Sequence, residues 1–420
     1  MKLFLAVALV SSIATLNARE NKKSSNAPST PKQQTGLKLV CTNPTAQVDL
    51  DVNAVRCRIL TAGDLWWDYT TQVGKYEIPA GSGLISIYSG ALWIGGVDQG
   101  GQLRVAGQEY GHAAGNNDFW PGPLDSAQAI DKDECDRYDK HFIITRKEVE
   151  DFVSGATPTM PDIIKEWPGN GDISKGQLQY LAPFFDKNAN GIYEPALGDY
   201  PGYDLIGKGC TTTDCVPDDQ LFGDKTIWWV FNDKGDVHAS SNGNPIGLEI
   251  RAQAFGFSTN DEVNNMTFYD FRVINRSPIT KLDSCYFGVF CDADLGNYQD
   301  DYVGCDVERG LGYTYNGDND DDVSQKGYGL PPAIGIDFFR GPITNPTGVP
   351  DDGVDNNRNC QIDEDCEQAI MSKFVYFTNA GGFPQQDPSN AVEYYNYLRG
   401  RWQDGTPFTY GGNGNGGGTG

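Results

Sequence analysis

The chain has 420 residues, enough for one large domain or two ordinary ones, and sets 57 acidic against 32 basic side chains for a net charge of −25. A body that acidic excludes nucleic acid and anionic lipid as natural partners, because both require a positive field. Ten cysteines, 51 glycines and 12% aromatic residues, with almost no long helical periodicity, point to an exported, loop-rich β protein.

Residues 1–18 read as a secretory signal: Lys2, the apolar run Leu3 to Val10, then small residues ending at Ala18. The run is too short to span a membrane, and no other stretch reaches about 18 apolar residues. Residues 19–38 lose nearly all large apolar side chains and predict a flexible basic linker. Arg19, Lys22, Lys23, Lys32 and Lys38 against Glu20 give it +4, and Lys2 adds +1 to the signal, so residues 39–420 carry −30. The globular region is expected over 39–410, followed by Gly411 to Gly420, a Gly/Asn/Thr run that reads as the start of a spacer.

Within the body, the apolar run Leu84 to Ile94 and the run Leu103 to Ala106 flank a Gly/Asp-rich connection and predict a hairpin. Asn116 to Pro123 is too rich in Gly and Pro for regular structure. Thr145 to Glu148 forms a capping box that opens a short helix carrying Val149, Phe152 and Val153, stopped by Gly155. A second helix follows Asp387-Pro388, with Ala391, Tyr394, Tyr395 and Leu398 on one side.

Ile227 to Phe231 predicts a strand ended by Asn232 to Gly235. The clearest alternation sets Leu248, Ile250, Ala252 and Ala254 against Glu249, Arg251 and Gln253. Thr267, Tyr269, Phe271 and Val273 share the face of a further strand, Asn275 to Pro278 turns the chain, and Cys285 to Cys291 forms a third, which together suggest an antiparallel meander. The expected fold is therefore mostly β, an antiparallel β-sandwich with long calcium-binding loops and few short helices. It is either one module with long insertions or two modules with a sub-boundary near 215–225.

The cysteines predict disulfides. Cys210/Cys215 and Cys360/Cys366 could each staple a loop. Cys285 and Cys291 lie too far apart along one strand to pair with each other, which makes Cys305 a candidate partner for one of them. Spacing leaves Cys41, Cys57 and Cys135 open.

The acidic residues are clustered in Asp/Asn/Gly loops, which suits a hard cation that takes six to eight oxygens. Asp186, Asn188, Asn190, the carbonyl of Ile192 and Glu194 follow the spacing of a calcium loop, with Gly191 at the sixth position. Leu197 stands where a closing glutamate would be, so Asp199 is the expected closing ligand. The bland reading is a polar Asn/Gly turn between strands. A second group joins Asp292 and Asp294 to Asp300 and Asp301, and Asp318, Asp320 and Asp322 repeat the spacing. A third sets Asp355, Asn357, Asn359, the Gln361 carbonyl and Asp363 at alternate positions before Cys366.

The segment Asp351 to Cys366 resembles the Asp/Asn-rich metal-binding repeats of secreted bacterial proteins and the thrombospondin type 3 calcium repeats. The wider chain, over most of residues 80–412, resembles the N-terminal region of large secreted or cell-surface proteins of type IX-secreting bacteria. That likeness is carried by Tyr88 to Gly96, Asp118 to Pro123, Asp292 to Gly296, Tyr394 to Tyr397 and Gly405 to Pro407. It implies an extracellular or outer-surface location and, in such proteins, continuation into a C-terminal sorting domain, of which these residues show none.

No catalytic set stands out. His112, His141 and His238 are scattered, no GxSxG elbow or phosphate-cradling GxxxxGK[ST] occurs, and His238 reads as a surface strand residue. Trp66, Trp67, Trp120, Trp228 and Trp229 read as core aromatics, with sugar platforms as the alternative. The expected function is that of a secreted, calcium-stabilised sandwich with an adhesive, binding or structural role toward a glycan or another surface component. The alternative is a carbohydrate-active hydrolase using two carboxylates.

Overall fold

The computed structural model describes residues 2–9 (backbone course), 41–111, 115–207, 220–279, 281–342, 368–378 and 382–409. Within them the protein is mostly β and antiparallel. Sheet one contains β1 (Lys2–Leu9), β2 (Gln47–Leu50), β3 (Arg56–Leu60), β4 (Ser89–Asp98) and β5 (Leu103–Ala106). Sheet two contains β6 (Phe142–Thr145), β7 (Lys225–Asn232), β8 (Leu248–Gly256) and β9 (Phe268–Asn275). The chain returns to sheet one with β10 (Leu282–Asp292). It then forms a separate three-stranded sheet from β11 (Asp301–Asp306), β12 (Leu311–Asn316) and β13 (Ala333–Asp337). Sheet one is completed by β14 (Met371–Phe377). Its order is β14-β1-β10-β4, then Asp64–Leu65, β3, Tyr76–Glu77 and Ile85–Ile87, with β5 on β4 and β2 on β3.

The two large sheets pack face to face. Leu50, Ile59, Leu92 and Ile94 from sheet one meet Ile227, Trp229, Phe231, Ile250 and Ala252 from sheet two in one buried cluster. This cluster takes residues from both sides of 215–225. The period-2 alternation decides which side chains enter it: Trp229 and Phe231 face the shared core, whereas Trp228 and Val230 face outward under the insertion that precedes β7. That insertion brings Tyr138, Ile164, Trp167, Leu181 and Tyr203 over the outer face of sheet two. The opposite outer face, on sheet one, is covered by α2 (Ala391–Leu398), whose Tyr394, Tyr397 and Leu398 pack on Trp93, Phe290 and Phe377. All five tryptophans weighed as sugar platforms are buried.

The predicted helix appears as α1 (Arg146–Ser154), with Thr145 and Glu148 capping each other and Gly155 left-handed at its end. Two further short helices, Lys132–Tyr138 and Asp162–Lys165, carry too little apolar periodicity to announce themselves. The predicted hairpin is β4–β5, but its first strand runs through Gly95 and Gly96 to Asp98, and Ile85–Ile87 is a separate strand. Those glycines sit inside the strand because the packing needs them. A Cβ on Gly95 would lie 2.9 Å from Leu398 Cδ1, and one on Gly96 would lie 3.2 Å from Leu282 Cβ.

The meander expected from β8, β9 and β10 is corrected. Strands β8 and β9 pair as expected, but β10 crosses to the other sheet and pairs with β1 and β4. The reason is two-sided apolarity. Tyr286 and Phe290 face the α2 side while Phe287, Val289 and Cys291 face the shared core, so β10 requires a position covered on both faces. The sheet that does follow sequence order is β7-β8-β9.

Cys41 and Cys135 form a disulfide with Cα atoms 5.7 Å apart. The partner expected of Cys305 is not found: Cys57, Cys285, Cys291 and Cys305 are free thiols, the first three buried in the shared core. Cys210, Cys215, Cys360 and Cys366 lie outside the described residues. In the native protein Cys57, Cys285 and Cys291 are expected to resist iodoacetamide over hours and to react at once in denaturant. Rapid native labelling, read by peptide mass, would contradict their burial.

Candidate cation-binding loops

The Asp186 loop is a hairpin connection. Phe184–Phe185 pairs antiparallel with Tyr200–Pro201, and the residues between them fold back on their own oxygens. Asp186 Oδ2 accepts from the Gly191 amide at 2.6 Å, Asn188 Oδ1 from Asn190 N at 3.1 Å, and Asn190 Oδ1 from Ile192 N at 2.8 Å. Gly191 has φ +76°, so the sixth position of the loop does need glycine. Asn190 Nδ2 donates to Glu194 Oε2 at 2.8 Å. After Glu194 a short 3₁₀ turn, Pro195–Leu197, leaves Leu197 exposed, and Asp199 closes the loop from full burial. Its two oxygens accept from Lys187 N at 3.0 Å and Glu194 N at 2.7 Å.

These bonds are those of a polar turn, and they also group the expected ligands. One oxygen is left over: Asp186 Oδ1 is buried and has no hydrogen-bond partner among the described residues. A buried carboxylate oxygen without a partner is costly and calls for a proton or a cation. Asp186 also lines two adjoining clefts. One, of about 320 Å³, includes Tyr180, Phe184, Arg251 and Arg272, and the other, of about 270 Å³, includes Phe185, Tyr200, Tyr203 and Asp204. Tyr180, half exposed, stacks on Phe184 at 6.0 Å. Arg251 is held by Glu249 at 2.8 Å.

The second acidic group lies elsewhere, where sheet one hands over to the three-stranded sheet. Asp292 ends β10 and accepts the Tyr110 hydroxyl. Asp301 opens β11 and accepts from Leu295 N at 2.9 Å through Oδ2, tying itself to the Asp292–Gly296 turn, in which Asp294 lies. Asp301 Oδ1 is buried without a hydrogen-bond partner among the described residues, as are Asp300 Oδ1, Thr314 Oγ1 and both amide atoms of Asn316. The register sets Asp301 directly opposite Asn316 and Val303 opposite Thr314, so Asp301, Asn316 and Thr314 share one face. Burial pushes the Asp301 carboxyl up to about 7; the Leu295 amide opposes this, and the neighbouring Asp294 and Asp300 charges add to it. Asp321, fully buried, accepts from Asn297 N at 2.9 Å and Tyr328 N at 2.6 Å.

Asp355, Asn357, Asn359, Gln361 and Asp363 lie outside the described residues. Among the described residues no three His, Cys, Asp or Glu side chains converge as a metal cage.

Sequence reasoning missed one polar cluster. His238 is buried rather than on the surface, and Asp118 and Ser241 are buried beside it. Its Nδ1 lies 2.8 Å from Val105 O and its Nε2 2.8 Å from Asp233 O, so both ring nitrogens meet a backbone carbonyl. Asp118 Oδ2 lies 3.5 Å from Nδ1 and accepts from Ser241 Oγ, Ser241 N and Gly107 N. Burial raises the Asp118 carboxyl, opposed by His238 and then by these donors. With no access for substrate, the trio is a structural tie between the 118 loop and the turn after β7. The only hint in sequence was Asp118 standing ahead of an apolar Phe119-Trp120.

No helix among the described residues is long and apolar enough to cross a membrane. Comparison with family models, with curated proteins and with solved structures finds no match, so the functional reading rests on this geometry.

Proposed function

We propose that this is an exported β-sandwich protein whose inter-strand loops are ordered by calcium and whose role is binding or structural at the cell surface. The observation that carries the reading is the buried, unpartnered Oδ1 of Asp186, in a loop that already gathers Asn188, Asn190, Glu194 and Asp199. Asp301, with its own unpartnered oxygen opposite Asn316, supports a second, separate ion. Calcium would replace the missing partner of each carboxylate and fix the hairpin against the outer face of sheet two. Dissociation constants of about 10⁻⁴–10⁻³ M would suffice outside the cell.

The clefts beside Asp186 are the candidate contact surface. Tyr180 and Phe184 offer an aromatic face in a cleft that Arg251 and Arg272 also line, a combination suited to a sugar ring with hydroxyl or acidic substituents. Calcium would then act on ligand binding through the loop that forms one wall.

Isothermal titration of the metal-stripped protein with calcium tests the reading. The wild type is expected to take up at least two ions, and Asp186→Ala to take up one fewer with its fold retained. Equal uptake by the two proteins, or none by either, would remove the Asp186 site.

A further inference from the structure

Strand β1 is the only strand of sheet one drawn from the segment that reads as an export signal. Its backbone lies between β10 and β14 and runs antiparallel to both. Leu5, for example, is opposite Val289 on one side and Phe374 on the other. Strands β10 and β14 therefore run parallel to each other, two strand spacings or about 9.6 Å apart. Both faces of this position are enclosed. Phe290, Val375 and Phe377 belong to the apolar layer under α2, and Cys291, Met371 and Phe374 belong to the core shared with sheet two.

An export signal is removed during translocation, before the mature chain folds. The mature chain would then hold two facing rows of backbone N–H and C=O groups with nothing between them, inside an apolar surround. Such groups are almost always paired in a folded protein. Segments of the chain outside the described strands do not suit this position. Residues 19–38 are basic and contain Pro28 and Pro31, 343–367 are dense in Asp and Asn, and 411–420 are Gly, Asn and Thr.

We propose that in the exported protein this position is a strand-acceptor slot, filled by an apolar strand donated by a second polypeptide. The donor is a segment of about eight residues, antiparallel to β10 and β14 as the register of Lys2–Leu9 dictates, and apolar past its first position because apolar layers enclose both faces. Backbone pairing on two sides would supply affinity, and the two apolar layers would reject a charged strand. The proposal rests on the export reading and is independent of calcium.

The test exports the full chain with its own leader and measures the intact mass, then follows amide hydrogen exchange in β10 and β14. The probe is a synthetic peptide of residues 2–9 flanked by lysines, with the same peptide carrying Leu5→Asp as control. The expected mass lacks residues 2–9, and β10 and β14 amides exchange at least about tenfold faster than those of β7 and β8. The apolar peptide restores their protection and the Leu5→Asp peptide does not. A mature mass that retains residues 2–9 overturns the export reading and with it the vacancy. The correct mass with β10 and β14 already protected and no second polypeptide bound overturns the slot alone. So does the correct mass with no protection by the peptide.

Discussion

Replacing Asp118 with alanine is expected to destabilise the protein by about 3–5 kcal/mol, because several donors lose their acceptor at once. The substitution would strip the acceptor from Ser241 Oγ, Ser240 N, Ser241 N and Gly107 N. Each buried donor left without an acceptor adds about 1–3 kcal/mol before the structure relaxes. Asp118→Asn keeps one acceptor and should lose less, while Ser241→Ala removes a single donor and should lose least. Urea midpoints of the three variants at neutral pH give the ranking. A loss below about 1 kcal/mol for Asp118→Ala would mean that water reaches the site and the cluster is not the tie described.

Alkaline pH should have an effect of similar size. Burial pushes the thiols of Cys57 and Cys285 up to about 12, and that of Cys291 well above its ordinary value near 9. The folded state thus keeps protons that the unfolded chain releases. That contribution is complete below pH 9 and is lost as the pH climbs from 9 toward the folded values. Between neutral pH and pH 10 the loss is roughly 1.4 kcal/mol for each thiol, or about 4 kcal/mol for the three. The buried hydroxyls of Tyr76, Tyr269 and Tyr394, also raised by burial, steepen the fall above pH 10. Unfolding free energies measured from pH 7 to 10.5 should show this decline, and Cys285→Ala should reduce it by about a third between pH 9 and 10. A flat profile would show that these thiols are solvated or paired.

Much of the framework was legible in the sequence, and the reason is the period of two. Leu248, Ile250, Ala252 and Ala254 face the shared core as their alternation indicates, and the Thr145–Glu148 capping box opens its helix. The same alternation misled where the reverse face is also buried. Glu249, Arg251 and Gln253 resemble a solvent face, yet they are buried under the insertion that carries the Asp186 hairpin. Nothing local marks that cover, because it is made by residues some 70 positions upstream. Strand β10 illustrates the other limit: its two-sided apolarity was visible, but sequence adjacency suggested the wrong neighbour.

For the loops, spacing singled out Asp186, Asn188, Asn190 and Asp199, and their side chains accept from backbone amides within one hairpin connection. It also listed Asp292 and Asp294 with Asp301, and the Leu295 amide ties Asp301 to the turn that follows Asp292. What spacing missed were the partners from across the ladder. Asn316 and Thr314 reach Asp301's face only through the pairing of β11 with β12. Tyr110 meets Asp292 from 182 residues away. Oxygen atoms brought together by register rather than by chain order leave no local signature.

The central claim is that calcium orders this protein, and thermal unfolding of the exported chain in EDTA against 10 mM calcium tests it most directly. With constants of about 10⁻⁴–10⁻³ M, each site would add roughly 1.4–2.7 kcal/mol at that concentration, so the midpoint should rise by at least about 3 °C. Magnesium, smaller and slower to shed its water, should produce much less. Identical midpoints in EDTA and calcium would contradict the account.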